Sequence, residues 1–334
     1  MGPRMKTIWI ISDGLPGHFN QSIGLSEAIQ SRFKHEATTI DVRLKYKALR
    51  SLMRFIANYL PWLVGQETLS FFYQHSEIPS NKPDLIISAG GNTLFANIAL
   101  SKAYQANNIF SGTIKGYNSH LLDKVFTVVP IKGIKNNVVL DLPPANIKPG
   151  SENQDKPFYT LLIGGDGAGY AYTDTDWKQL VMAITDIARR DNITWKITTS
   201  RRTGNSVEEL LRQALEEAAV DGAVVDEAIW FSSNPQKVVK RFLEEGQIIF
   251  CSEDSLTMVS EAIYAHKPVV TLQPQIMKPE ENDSMALEKY QHKQFIIRTP
   301  IASLSLQKFE KERFCKTYPD IQKQIADVVA ALWS

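Results

Sequence analysis

The sequence predicts an α/β chain built as two Rossmann-like domains, and three observations carry that expectation. A strand, a glycine-containing turn and a helix open the chain across residues 7–33. The same succession restarts across residues 159–190. Between them the composition shifts: residues 141–157 hold Pro143, Pro144, Pro149 and Pro157, more prolines than a sheet interior accepts. This segment is expected to be the interdomain linker. It divides the chain into domains 1–150 and 151–334, with the last helix free to pack back on the first domain.

Each element has its own signal. Thr7–Ile11 is a short β-branched apolar run that ends in the turn chemistry of Ser12-Asp13-Gly14-Leu15-Pro16-Gly17-His18. Asn20–Phe33 then places Ile23, Ala28, Ile29 and Phe33 at helical spacing. Asp84–Ser88 reads as a strand, 89–92 as a turn and Thr93–Tyr104 as a helix apolar over a wide arc, hence buried. A strand follows at Lys124–Val129. In the second half, strands are expected at Tyr159–Ile163, Thr194–Thr199, Ile248–Cys251 and Pro268–Leu272. Helices are expected at Asp176–Arg190, after a capping box at Ser206–Glu209, and at Leu256–His266. Alternating βα units of this kind require parallel sheets covered on both faces.

The bulk numbers remove several function classes. The chain has 334 residues, 43% hydrophobic and 22% charged, with 37 Lys and Arg against 36 Asp and Glu. A net charge of +1 gives no electrostatic case for a nucleic-acid partner. Cys251 and Cys315 form no CxxC pair, and no HxH or HExxH occurs, so neither a disulfide framework nor a metal site is expected. No apolar run is long enough to span a bilayer, and the chain reads as cytoplasmic.

In open parallel sheets, ligands bind beyond the carboxyl ends of the strands. Five polar or glycine-rich segments fall there: 12–20, 88–92, 164–170, 200–204 and 252–261. If the halves face each other, these converge on one cleft. The loop from Gly164 to Gly169 suits a phosphate, though a plain tight turn reads as well. It matches neither GxGxxG nor a Walker motif, which disfavours dinucleotide binding and P-loop hydrolysis. One of Arg201 and Arg202 is expected to grip phosphate from a strand end. Ser255 can cap a helix and leave amides open for an anion, with Glu261 two turns in; simple capping explains that segment equally. His18, beside Asp13, could act as general base on an acceptor hydroxyl or bind a phosphate, though a lone loop histidine is more often just exposed. Asp174-Thr175-Asp176 spells a metal-binding DxD, but its place before a helix favours capping. Residues 49–74 are rich in Leu, Phe, Tyr and Trp and are edged by Arg43, Lys45, Lys47, Arg50 and Arg54. That suits an anionic membrane surface; a helical insertion packed on the first domain is the alternative.

With these motifs in hand, the chain resembles the mitochondrial-fission Elm-type family, whose bacterial members are described as candidate GT-B-type glycosyltransferases. Asp13-Gly14-Leu15-Pro16-Gly17-His18-Phe19-Asn20-Gln21 looks like its opening signature, with Phe19 where a more polar residue is expected. The Gly164-Gly165 loop, Thr199-Ser200-Arg201-Arg202-Thr203 and Asp254–Ala262 match its later signatures. The resemblance covers nearly the whole chain and implies a GT-B-like fold, similar also to the transferase that adds N-acetylglucosamine to a membrane-bound peptidoglycan precursor. It implies that the second domain holds a nucleotide-sugar and the first faces the acceptor. Gly164, Gly165, Ser200 and Arg201 would then meet the diphosphate. Ser255 and Met258 would line the nucleotide pocket, and Glu261 would hold the ribose. His18 would be the base with Asp13 its partner, and Gly14, Gly17, Asn20, Gln21, Gly90, Gly91 and Asn92 would lie on the acceptor side.

The function expected is metal-independent sugar transfer from a nucleotide-sugar, a co-substrate rather than a cofactor, to a cell-envelope or membrane-associated acceptor such as a glycolipid. Peripheral contact with the inner membrane would run through residues 49–74. Two rivals stand beside it. A nucleotide-sugar epimerase of the same fold would need further acid/base carboxylates, for which Asp166 and Glu253 are candidates. A non-catalytic adaptor would keep the fold for partners, since plant members of the family are linked to recruiting a fission GTPase.

Overall fold

The computed structural model describes residues 4–150, 158–218 and 224–334. The chain divides into two compact units, Met1–Asn146 with Pro319–Ser334, and Ile147–Tyr318. Pro143, Pro144 and Pro149 of the expected linker lie around that division; Pro157 lies outside the described residues.

The N-terminal unit is a seven-stranded sheet of strands β1 (Lys6–Ser12), β2 (His35–Leu44), β3 (Tyr73–His75), β4 (Leu85–Ala89), β5 (Asn107–Ser111), β6 (Lys124–Thr127) and β7 (Asn137–Val139), in the order β3-β2-β1-β4-β5-β6-β7. Every pairing is parallel except that of β2 with β3. The helices are α1 (Pro16–Gln30), α2 (Arg50–Tyr59), α3 (Gln66–Phe72) and α4 (Leu94–Tyr104). Strand β4 is buried at every position, which is why it reads as one apolar run. The first seven residues of α4 are also buried.

Helix α1 begins four residues before the expected Asn20. Pro16 sits in its first turn, where proline's fixed φ suits the helix and its missing N–H is one that no intrahelical acceptor would have met. The segment expected as a loop is therefore half helix. Gly24 of α1 lies against the backbone of Ala145, where a Cβ would come within 2.5 Å of its nitrogen. Strands β2 and β5 escape a hydrophobicity reading. β5 carries Asn107 and Asn108, and the buried Asn108 is satisfied by Asn97, the Leu121 carbonyl and Asp123. Buried polar groups are tolerated when paired this way.

The C-terminal unit holds β8 (Phe158–Ile163), β9 (Tyr170–Ala171), β10 (Thr194–Thr199), β11 (Val225–Ile229), β12 (Ile249–Ser252), β13 (Val269–Gln273), β14 (Ile276–Met277) and β15 (Ile296–Pro300). Six of them form a parallel sheet in the order β11-β10-β8-β12-β13-β15, and β9 pairs with β14. Its helices are α5 (Asp174–Asp191), α6 (Asn205–Ala218), α7 (Val239–Glu245), α8 (Leu256–Tyr264) and α9 (Glu281–His292). Trp177 and Trp195 anchor the core, and the Trp195 indole N–H reaches the Ile184 carbonyl at 2.8 Å. The expected capping box at Ser206–Glu209 is a correction. Helix α6 already starts at Asn205, and the Glu209 carboxylate of that box accepts from the Asn205 side-chain amide at 3.2 Å, while Glu208 is buried and bonded to Thr199 and Ser232. At α5 the cap is reciprocal between Thr173 and Asp176, which engages the second carboxylate of the DxD triplet.

Helix α10 (Ile321–Trp333) returns to the N-terminal unit and packs on α1. Arg32 reaches Asp327 at 2.5 Å, and the Phe33 and Trp333 rings meet edge-on at 5.0 Å.

Each sheet reverses its order beside its first strand, between β1 and β4 in one unit and between β8 and β12 in the other. Loops leaving the two strands diverge at such a point and open a crevice. Both candidate half-sites lie there.

Candidate functional site

In the N-terminal unit the crevice holds an Asp–His dyad. Asp13 leaves the end of β1, and His18 stands in the first turn of α1. His18 Nδ1 lies 2.9 and 3.1 Å from the two Asp13 oxygens. Two carboxylate oxygens facing Nδ1 assign the hydrogen to that nitrogen and leave Nε2 as the acceptor. The Asp13 side chain is 5% exposed and that of His18 32%. Burial alone would push the Asp13 carboxyl up, but the His18 hydrogen bond and charge, Asn92 and the Leu15 amide together hold it below its ordinary value.

Glycine makes this packing geometrically feasible. Gly90 has φ +82°, and a Cβ there would lie 2.2 Å from His18 Nδ1. Gly14 turns the chain with φ +75° and stands in open space.

Two residues expected on the acceptor side have protein partners, and one of them, Asn92, holds the dyad. Asn92 donates to Asp13 at 3.0 Å, accepts from Arg50 at 2.6 Å, and offers its carbonyl to the Tyr73 hydroxyl at 2.7 Å. Gln21 accepts from Ser111 Oγ at the end of β5. Half-buried amides find protein partners in this way. Gly17 and Asn20 lie within the first turns of α1, half-buried, and Gly91 is exposed beside the Lys115 stem. A line Arg50–Asn92–Asp13–His18 thus orients the imidazole, and sequence spacing gave no sign of its first member.

In the C-terminal unit the crevice between β8 and β12 brings together Gly164, the 200–203 turn and the start of α8. Here the sequence reading needs its largest correction. The Gly164 amide donates to Ser252 Oγ at 2.6 Å, and its carbonyl accepts from Ser200 Oγ at 2.7 Å and from Thr203 Oγ1. Gly165 follows with φ +141° and packs against the Arg202 and Thr203 backbone. Amides at a buried turn are paired, and the Gly164 amide is thereby engaged by Ser252. Both positions are glycine because of close approach: a Cβ on Gly164 would meet Asp254 Oδ2 at 2.2 Å, and one on Gly165 the Arg202 carbonyl at 2.4 Å. Ser200 is likewise occupied, accepting from the Arg202 amide while donating to Gly164.

Of the two arginines, Arg202 is the one laid into this crevice. Its guanidinium pairs with Asp254, whose side chain is fully buried, and lies against Gly167, where a Cβ would come within 2.9 Å of it. Arg201 is exposed and has no partner among the described residues. Burial pushes the Asp254 carboxyl up; Ser252, Arg202 and the Gly165 amide oppose this without cancelling it.

Ser255 caps α8, accepting from the Met258 amide at 3.4 Å. Among the described residues, the Leu256 and Thr257 amides have no protein acceptor, so a half-buried helix N-terminus points two donors outward beside Arg202. Such an end attracts anions. Met258 sits in that first turn, and Glu261 lies half-buried in the next.

Glu253 is held differently. Its carboxylate accepts from Arg298 Nε and Nη2 at 2.7 Å each, Thr271 Oγ1 at 2.8 Å, Tyr170 OH at 3.0 Å and Gln273 Nε2 at 3.2 Å. Despite burial, these donors hold its carboxyl low. Asp166 is exposed and caps the Tyr172 amide at 2.8 Å. Glu253, the better buried of the two epimerase candidates, is thus locked as a structural anion.

Comparison with known proteins places the chain. No curated protein matches it by sequence. Among solved structures, it is similar to the UDP-GlcNAc 2-epimerase of Methanocaldococcus jannaschii, at 12% identity and a TM-score of 0.56, covering 98% of this chain and 99% of that one. It is also similar to the UDP-GlcNAc 2-epimerase of Neisseria meningitidis bound to UDP-GlcNAc, at 12% identity and a TM-score of 0.51, with coverage of 98% and 99%. At this identity the likeness shows the fold, and the GT-B-like α/β class expected from the sequence is borne out. The family model described as mitochondrial fission ELM1 matches residues 123–299, more than half of the 334 residues, and the chain belongs to that family.

Proposed function

We propose that this protein is a glycosyltransferase that takes a sugar from a nucleotide-sugar held by its C-terminal unit. The observation that carries this reading is the first turn of α8, with two unpartnered amides beside Arg202 at the sheet's reversal point. Diphosphate is the group such a cradle suits: the helix end and a guanidinium both favour anionic oxygens. That two structures of the same fold are named for UDP-GlcNAc chemistry supports the donor class.

The His18–Asp13 dyad supplies the acceptor side of the reading. Nε2 takes the proton of an acceptor hydroxyl, and that oxygen bonds to the anomeric carbon. The bond from that carbon to the diphosphate oxygen breaks, with its electron pair leaving on the diphosphate. Asp13 holds the ring and stabilises the imidazolium that forms. The α8 terminus and Arg202 stabilise the departing charge, each such donor contributing roughly 3–4 kcal/mol in comparable sites. Arg202 would exchange Asp254 for the diphosphate as the donor enters. The acceptor proposed is membrane-associated, an envelope glycolipid, and no metal is invoked.

The epimerase reading shares the fold but lacks a free carboxylate at Glu253. Incubation with UDP-GlcNAc in D2O without acceptor separates the two. A transferase gives slow hydrolysis and no exchange at the sugar's C2. Deuterium at C2 with formation of the epimeric sugar would replace this proposal by the epimerase. Absence of any nucleotide binding would favour an adaptor.

A further inference from the structure

Helix α2 has two apolar faces, and the N-terminal unit buries only one of them. Met53 and Ala57, one turn apart, point inward and are buried. Leu52, Phe55 and Tyr59, at three- and four-residue spacing, share the opposite face and are exposed. More large apolar side chains are exposed beyond the helix. Trp62 is 70% exposed, Leu63 follows it, and Phe71 on α3 is 65% exposed. The Phe55 and Tyr59 rings pack in a tilted pair with centroids 5.2 Å apart. Contiguous apolar surface of this kind on a folded unit marks a place where something docks.

Charge selects the occupant. Between Val42 and Gln66 the sequence has Arg43, Lys45, Lys47, Arg50 and Arg54 and no acidic residue, in a chain whose totals are 37 and 36; the exposed Asp41 and Glu67 flank this stretch, so five cations stand against two carboxylates. All five are exposed. Lys45 reaches the Ser70 carbonyl at 2.7 Å, which sets it beside Phe71, and Lys102 hydrogen-bonds the Pro61 carbonyl next to Trp62. Cations thus stand beside Phe71 and Trp62, and they outnumber the carboxylates of the segment. A second copy of this chain is a poor occupant, because a two-fold contact would set these cations against themselves. An anionic bilayer matches both features: aromatic rings favour the headgroup level, and Lys and Arg meet lipid phosphates.

We propose that this face docks peripherally on anionic membranes, with Phe55, Tyr59, Trp62 and Phe71 entering the interface and Arg43, Lys45 and Lys47 lying over phosphates. The inference does not depend on the activity proposed above. Among the described residues no helix is long and apolar enough to cross a membrane, and docking of this kind needs none.

Co-sedimentation with vesicles tests it, using phosphatidylcholine alone and an equal mixture of phosphatidylcholine and phosphatidylglycerol. The full chain should bind the mixed vesicles and be released by high salt. Phe55→Ser with Trp62→Ser should lower the partition coefficient by about tenfold or more. Arg43→Ala with Lys47→Ala should lower it about 25-fold, near fivefold per charge. All four positions are exposed, so the variants should keep the wild-type melting temperature and nucleotide binding. Equal binding to both vesicle types, or variants that bind like wild type, would overturn the proposal. So would a lipid-free dimer that Phe55→Ser with Trp62→Ser dissolves, which would assign the face to a second copy.

Discussion

Glu253→Gln keeps the side chain's size and removes its charge, and the structure gives the cost. Oε1 accepts from Arg298 Nε and Thr271, and Oε2 from Arg298 Nη2, Tyr170 and Gln273. A glutamine amide turns one of these oxygens into a donor, so two or three bonds become donor against donor. At roughly 1 kcal/mol for a neutral bond and 1.5–3 for a charged one, the loss is about 3–5 kcal/mol. This agrees with the usual cost of breaking a buried ion pair. The pH dependence has a definite sign. The Glu253 carboxyl is held below its reference of 4.5 in the folded state. Its contribution is therefore present above 4.5 and is lost as pH falls through the lower folded value. Urea unfolding followed by the fluorescence of Trp177 and Trp195, both in the core of the C-terminal unit, reads the effect. The wild type should lose stability below pH 4.5, while the variant, already weakened, should show a flatter acid limb. A variant within about 0.5 kcal/mol of wild type at neutral pH would refute the reasoning.

Other predictions address the half-sites. Gly164→Ala must drive the Asp254 carboxylate away from contacts as short as 2.2 Å. Denaturation should show a loss of about 1–3 kcal/mol, and nucleotide affinity should fall with it. Gly90→Ala combines φ +82° with a Cβ on the His18 ring; calorimetry should show a lower melting temperature, and sugar transfer should drop. Asp13→Asn keeps the shape but removes the acceptor that fixes the imidazole tautomer. Turnover should fall by about 10²–10⁴ with donor affinity unchanged, and an equal loss of donor binding would contradict the assigned role.

Much of this architecture is written locally. Strands β4 and β8 are buried along their whole length, so each reads as an unbroken apolar run. Strand β2 has only Ile40 and Val42 buried in ten residues, and β5 opens with two asparagines satisfied by distant partners. No local pattern announces either. The site follows the same division. Asp13 and His18 are five residues apart, and their pairing could be suggested from spacing. Arg50 reaches Asn92 across 42 residues, and Arg202 reaches Asp254 across 52. Nothing in the pair Arg201-Arg202 tells which turns inward; that depends on the turn held by Ser200 and Thr203. The glycine loop misleads for a physical reason. Glycine serves equally for open amides and for close packing, and here Ser252 takes the Gly164 amide while Asp254 and the Arg202 carbonyl fill the space a Cβ would need.

The central claim is that the C-terminal unit binds a nucleoside diphosphate at the start of α8, and a thermal-shift titration tests it most directly. UDP, GDP, CMP and their sugar conjugates would be compared on the wild type and on Arg202→Ala. A native-state ligand raises stability by RT ln(1 + [L]/Kd), about 2.7 kcal/mol at a hundredfold excess over Kd. A dose-dependent rise in melting temperature is expected with one nucleoside diphosphate and its sugar conjugate, much reduced in Arg202→Ala. A folded wild-type protein whose melting temperature ignores every one of them, or a shift that Arg202→Ala leaves intact, would contradict it.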